Sequence, residues 1–154
     1  MIIHKNTHAP LRLPRLLIKP KLLAYRVGFT ESCRYDIGRD QGDINKLFGV
    51  GYFPSHHENS VRVGWNYDIV SGRINIFAYW YVGGKRDWQY LRSVDIGVMC
   101  YFKMYIDDDM HRLDIAGRNY RVDVNSTPIC YLLRPYFGGN RTAPHDIVID
   151  INKV

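Results

Sequence analysis

Glutamate is nearly missing from this sequence: Glu31 and Glu58 are the only two among 154 residues. Glycoside hydrolysis needs two carboxyl groups held at a set separation. Two glutamates far apart in sequence and outside any strand motif do not supply that pair. Asp107, Asp108 and Asp109 read as a hairpin tip rather than a substitute. Cysteine is scarce too. Cys33, Cys100 and Cys130 are an odd set with no close pair, which excludes a disulfide framework. No local Cys–His arrangement points to an activated thiolate. Gly138-Gly139-Asn140 lacks the Lys-Ser/Thr of a phosphate-binding loop. No apolar run reaches the length of a membrane span. Pro10, Pro14 and Pro20 interrupt the early apolar runs before they reach secretory-signal length. Asn125-Ser-Thr and Asn140-Arg-Thr therefore read as chance matches to a glycosylation pattern, and the cytoplasm of the producing cell is the expected location.

Acidic residues are absent from the first thirty positions. Lys5, Arg12, Arg15, Lys19, Lys21 and Arg26 fall there, which accounts for the whole formal net charge of +6. The remainder is balanced. Charge segregated in this way marks an interaction segment. Residues 1–21 also alternate basic with aliphatic side chains around three prolines, which blocks a helix and favours extended backbone. The expectation is an extended basic N-terminal arm over 1–21 and one domain over 22–154. Arg12, Arg15, Lys19 and Lys21 are its candidate contacts. Nucleic acid is a conceivable partner only through this arm, by phosphate neutralisation. No aromatic precedes Tyr25, so base stacking is not expected.

What is abundant is strand-forming. Aromatics make up 14% of the chain, with twelve tyrosines, and such residues suit a pleated, half-buried surface. Val61, Val63 and Trp65 alternate with Arg62, Gly64 and Asn66; Ile74, Ile76, Ala78 and Trp80 alternate with Asn75, Phe77, Tyr79 and Tyr81. Two such runs around Ser71-Gly72 predict a hairpin. Further strands are expected over 22–30, 34–37, 95–106, 110–115, 120–124, 129–137 and 145–151. Residues 42–48 read as a short segment with one helical turn at best, and 49–60 as a loop. About ten strands with little helix predict an all-β protein, a single antiparallel β-sandwich.

Several segments carry a resemblance: Asp43–Gly49, Pro54–Ser60, Val61–Asp68, Ile74–Val82 and Leu133–Ile147. Over about residues 36–151 the chain resembles small β-sandwich proteins of Bacteroidetes bacteria and their phages. More distantly, it is similar to the concanavalin A-like lectin and glucanase jelly rolls. The resemblance implies the jelly-roll fold. It implies function only weakly, because sites rather than folds carry chemistry.

The leading expectation is a non-enzymatic structural or assembly protein, a phage virion component anchored by its basic arm to other subunits as a homo-oligomer or larger assembly. No catalytic residue, metal site or cofactor is expected. A glycan-binding module is the first alternative, with Trp88 and Tyr90 as an aromatic platform and His56 and His57 beside it. A polysaccharide lyase is the second. It needs a group that neutralises a uronate, a base and an acid, for which Arg62, Asn66, His56, His57, Tyr79 and Tyr81 are available. Metal binding by His56, His57 and Glu58 lacks a third ligand at recognisable spacing. Calcium at Asp107–Asp109 lacks the spacing of a known loop.

Overall fold

A computed structural model describes residues 1–10 and 15–154. Within them lie β1 (Ile2–Ile3), β2 (Arg15–Ile18), β3 (Leu22–Phe29), β4 (Asn45–Tyr52), β5 (Ser60–Asp68) and β6 (Arg73–Val82). These are followed by β7 (Lys85–Val94), β8 (Met99–Ile106), β9 (Met110–Ile115), β10 (Arg118–Asp123), β11 (Ile129–Leu133) and β12 (Ile147–Lys153). They form two six-stranded antiparallel sheets, β1-β12-β3-β8-β9-β10 and β2-β11-β4-β5-β6-β7. This is the all-β antiparallel sandwich that the alternating pattern predicts, of the jelly-roll kind that the resemblance implies. Among the described residues no helix is long and apolar enough to cross a membrane.

The sheets meet because each strand has an apolar face. Val61, Val63 and Trp65 of β5 and Ile74, Ile76 and Ala78 of β6 are buried with Val27, Phe29, Phe102, Met104 and Leu113 of the other sheet. Trp65 lies 5.3 Å from the Phe29 ring, 6.0 Å from Tyr35 and 6.3 Å from Phe137. Truncating a buried tryptophan of this kind to alanine costs about 3–5 kcal/mol.

Segment 1–21 contributes one pairing strand to each sheet. β1 pairs with β12, and β2 pairs with β11 as an edge strand. Arg12 lies outside the described residues. Arg15 sits on β2, Lys19 turns the chain at φ 43°, and Lys21 immediately precedes β3.

Three local expectations change. Residues 34–37 form no strand; short 3-10 turns occupy Glu31–Cys33 and Gly38–Asp40 on either side. Residues 45–52, read as a possible helical turn and part of a loop, form β4 in the middle of a sheet. β7 was not anticipated. It follows Gly83 and Gly84, whose φ values of 56° and 75° make the tight turn that β-hairpins favour.

Both unanticipated strands carry a one-residue bulge. In β4, Lys46 pairs with Gly64 but Phe48 with Val63, leaving Leu47 as the extra residue. In β7, Arg92 pairs with Ile76 but Tyr90 with Phe77, leaving Leu91 extra. A bulge reverses which face the following residues take. Lys46 therefore faces outward although Phe48 faces the core. Trp88 and Tyr90 likewise share the outer face with Tyr79 and Phe77.

His111 of β9 is fully buried, with its Nε2 paired to the Tyr52 hydroxyl. Its Nδ1 has no partner among the described residues. Burial holds its pKa below the ordinary 6.5, against the smaller raising effects of Met110 and Asp107. The folded state therefore keeps His111 neutral while the unfolded chain takes up a proton. Its stabilising contribution is fully present above pH 6.5 and is lost as the pH falls below that value. The thermal midpoint is expected to drop along this limb, and His111→Gln to flatten it. An equally steep drop in the variant would assign the loss to other groups.

Candidate active site

The outer face of the second sheet is where the polar halves of the alternating runs gather. Residues opposite each other on antiparallel strands share a face. One row runs Arg62, Tyr79, Trp88 across β5, β6 and β7. The next row on one side is Ser60, Tyr81, Arg86, and on the other Gly64, Phe77, Tyr90. Lys46 enters from β4 opposite Gly64. Beside Arg62 on β4 stands Gly49, where an added Cβ would lie 2.9 Å from Arg62 Cγ and closer still to the β5 backbone. Glycine at this position leaves the arginine stem its course across the sheet.

An outer face of a simple sandwich would be wet. Here Arg62 is 7% exposed, Tyr79 4% and Asn66 8%. Two loops rise beside the face. Residues 53–59 fold over one end, where Ser60 Oγ donates to His56 O at 2.7 Å and Gly84 N–H to Glu58 O at 3.0 Å. Residues 134–141 rise along another side. Tyr136 and Lys46 exchange backbone hydrogen bonds of 2.8 and 2.9 Å, and Asp43 Oδ2 accepts from Gly139 N–H at 3.1 Å. The N-terminal segment braces this second wall. His8 stacks on Tyr136 with ring centres 4.8 Å apart, and Phe137 N–H donates to His8 O at 2.6 Å.

Between the walls lie two adjoining depressions that share Lys46, Tyr79, Arg86 and Gly139. One, of about 300 Å³, adds His56, His57, Arg62, Tyr81 and Tyr136. The other, of about 250 Å³, adds Asn66, Phe77, Trp88 and the Gly42–Ile44 segment.

The electrostatics are mainly positive: Asp43 is the one carboxylate lining the two depressions among the described residues, and it raises the Lys46 pKa against the larger lowering effects. Lys46, Arg62 and Arg86 line the site, and among the described residues none of them forms an ion pair with a carboxylate. Arg62 Nε is buried without a hydrogen-bond partner among those residues. Burial lowers the Arg62 pKa. The Lys46 ammonium, 4.9 Å from the centre of the Tyr79 ring, is pushed down to about 8 by burial and then by Arg62. His56 is pushed down to about 4 by burial, Arg62 and His57, so it is neutral at neutral pH. Burial raises the Tyr79 pKa, so that hydroxyl keeps its proton. The site thus offers a desolvated positive centre, a lysine poised near neutrality and a protonated phenol.

The structure brings together Arg62, Asn66, His56, His57, Tyr79, Tyr81 and Trp88 from the residues singled out in the sequence. Tyr90 lies just outside, 45% exposed, with its ring 5.9 Å from Phe77. Arg15, Lys19 and Lys21 are elsewhere; Lys19 and Lys21 border a small depression near Tyr52 and Asp108. Lys46, Arg86 and Tyr136 were missed. Among the described residues no cluster of three or more His, Cys, Asp or Glu could hold a metal ion.

No protein-family model matches the chain, and no curated protein sequence does. Solved structures do. The alginate lyase vAL-1 from Chlorella virus matches with a TM-score of 0.59 and 13% identity, over 99% of this chain and 81% of that one. The alginate lyase AlyC3 matches with a TM-score of 0.60 and 14% identity, over 99% and 67%. The polysaccharide lyase family 18 protein aly-SJ02 matches with a TM-score of 0.52 and 7% identity, over 100% and 88%. At these identities the likeness is one of fold. These three sandwiches belong to polysaccharide lyases, a finding that runs against the non-enzymatic assembly expectation and corrects it. A phage or virion origin and subunit partners find no support in these matches.

Proposed function

We propose that the chain is a polysaccharide lyase that cleaves an acidic, uronate-containing polysaccharide by β-elimination. The observation that carries this reading is Arg62: a buried guanidinium, opening on a depression, with no carboxylate partner among the described residues. Burying an unpaired charge is costly. A uronate carboxylate would supply the missing partner. Neutralising that carboxylate is also what makes the proton at C5 of the sugar removable. The fold shared with alginate and other polysaccharide lyases adds to the case.

In this reading each group has one task. Arg62 binds the carboxylate and stabilises the negative charge that develops on it. Lys46, in its neutral form, accepts the C5 proton. The electron pair left behind forms the C4=C5 double bond, and the bond from C4 to the glycosidic oxygen breaks. Tyr79, kept protonated by burial, gives its proton to that oxygen. Tyr81 and His57, with rings 5.2 Å apart and edge to face, form the end of the site and orient the substrate. No water enters the products and no redox step is needed.

Incubation with a panel of polyuronates, followed by ultraviolet absorbance of the unsaturated product, tests the reading directly. Absence of product with every polyuronate would sink it. Arg62→Met is expected to lower kcat/KM by about 100-fold or more, as loss of a charge-stabilising donor does. Its thermal midpoint should stay level or rise, because an unpaired buried charge has been exchanged for an apolar side chain of similar length. A folded variant with full activity would remove Arg62 from the role given to it.

The lysine gives a second test. A base must be deprotonated to act, so kcat/KM should rise with pH through about 8, the value to which Lys46 is lowered. At higher pH it should fall again as Tyr79 ionises. Lys46→Arg preserves the charge but cannot give up its proton, and it is expected to lose about 100-fold. An unchanged rising limb in Lys46→Arg would assign the base to another group.

A further inference from the structure

We infer that the Asn66–Trp88 depression is a separate sugar subsite that makes cleavage depend on chain length. The inference rests on the lyase reading for its consequence, but on independent observations for the site itself. Trp88 is 51% exposed, whereas Trp65 is fully buried. Its orientation is fixed from below: the Phe77 ring meets it at 89° with centres 5.6 Å apart, and Phe77 is itself buried. Tyr90 packs on the same Phe77. An amphipathic ring held rigidly at a depression suits the apolar face of a pyranose.

The second observation is Asn66. It is 8% exposed and lines the same depression. Its Nδ2 reaches the Gly42 carbonyl at 3.5 Å, while its Oδ1 is buried with no partner among the described residues. A buried acceptor without a donor has an energetic cost, and a sugar hydroxyl would satisfy it. Stacking surface and acceptor therefore converge on one small volume, which shares Lys46, Tyr79, Arg86 and Gly139 with the Arg62 depression.

The sheet register sets the spacing. Arg62, Tyr79 and Trp88 are opposite one another on three neighbouring strands. Two strand spacings separate Arg62 from Trp88, or roughly 10 Å. That backbone separation matches about two successive pyranose units, which assigns the sugar on Trp88 and the sugar whose carboxylate meets Arg62 to different units. The sugar on Trp88 is then a further unit of the same chain. Trp88 and Asn66 are thus positioning residues: they add binding energy for longer substrates without touching the reacting atoms.

The test uses saturated oligouronates from dimer to pentamer, together with the parent polymer. Trp88→Ala is expected to reduce kcat/KM on the longest substrates by about tenfold, the size of a lost stacking contact. The loss should lie in KM, with kcat held and the shortest cleaved oligomer unaffected. Trp88→Phe should recover most of it. Asn66→Ala should show the same dependence on length, with an unchanged thermal midpoint. Equal loss at every length, or a loss confined to kcat, would overturn the inference. If the wild type cleaves no polyuronate, the lyase reading fails and the subsite is judged by binding alone. Quenching of tryptophan fluorescence by the pentamer, abolished in Trp88→Phe and weakened in Asn66→Ala, would then uphold it. No quenching in the wild type would overturn it.

Discussion

Everything on the outer face of the second sheet depends on the phase of its strands. Side chains alternate strictly along a strand, so a sheet that fills a core with one set must present the other set outward. β5 and β6 obey this rule without interruption, and they place Arg62, Asn66, Phe77, Tyr79 and Tyr81 together. β4 and β7 flank them and would present the wrong sets under strict alternation. Single extra residues, Leu47 and Leu91, correct the phase on each side. The first bulge delivers Lys46 to the site and lets Leu47 and Phe48 both enter the core. The second delivers Arg86, Trp88 and Tyr90. Removing either bulge would turn a cation or an indole inward and expose core aliphatics, so fold and site are locked to the same two irregularities.

The electrostatic consequence is a face that the fold alone does not favour. Three cations approach one another beneath two loops, and burial works against the charged forms of Lys46 and Arg62. Lys46 responds by losing affinity for its proton; Arg62 cannot give up its own and keeps the charge. The walls that cause this desolvation are tied down by local contacts, among them the His8–Tyr136 stack and the Asp43 hydrogen bonds to the 139–140 backbone. Residues 1–10 therefore matter to the site although none of their basic groups lies in it. Their part is mechanical: Asn6 and Thr7 exchange backbone hydrogen bonds with Ala143, and His8 stacks on Tyr136 and accepts from Phe137 N–H, which ties down the 136–143 segment.

How much of this is legible in the sequence follows from the same geometry. The runs at 60–67 and 73–82 alternate cleanly, so alternation alone places their polar halves, including Arg62, Tyr79 and Tyr81, on one face. It cannot place Lys46. With Phe48, Val50 and Tyr52 marking the core, strict alternation assigns Lys46 inward, where a lysine makes no sense, and the segment looks irregular. β7 escapes for the same reason and for one more: as a mostly exposed edge strand it lacks the apolar half that makes a strand visible. Tyr136 and His8 are brought to the site by irregular backbone, which no periodicity encodes. The charge asymmetry of the first thirty residues is real, but its described basic residues, Lys5, Arg15, Lys19, Lys21 and Arg26, do not line the site.

A site that only binds sugar and a site that also cleaves it share the aromatic platform; they differ in what lies at the bottom. Binding needs an exposed ring and a few hydrogen-bonding groups, which Trp88 and Asn66 already supply. Binding an acidic sugar also accounts for Arg62, but it gives no reason to lower a lysine toward neutrality beside it, or to keep a phenol protonated against that lysine. Each of these arrangements disfavours the empty protein. In the proposed reaction they become favourable together, when an anion enters, one proton leaves a carbon and another is given to an oxygen nearby. On the proposed lyase reading the division of the trough follows: the Trp88 end supplies affinity, and the Arg62 end turns it to chemistry.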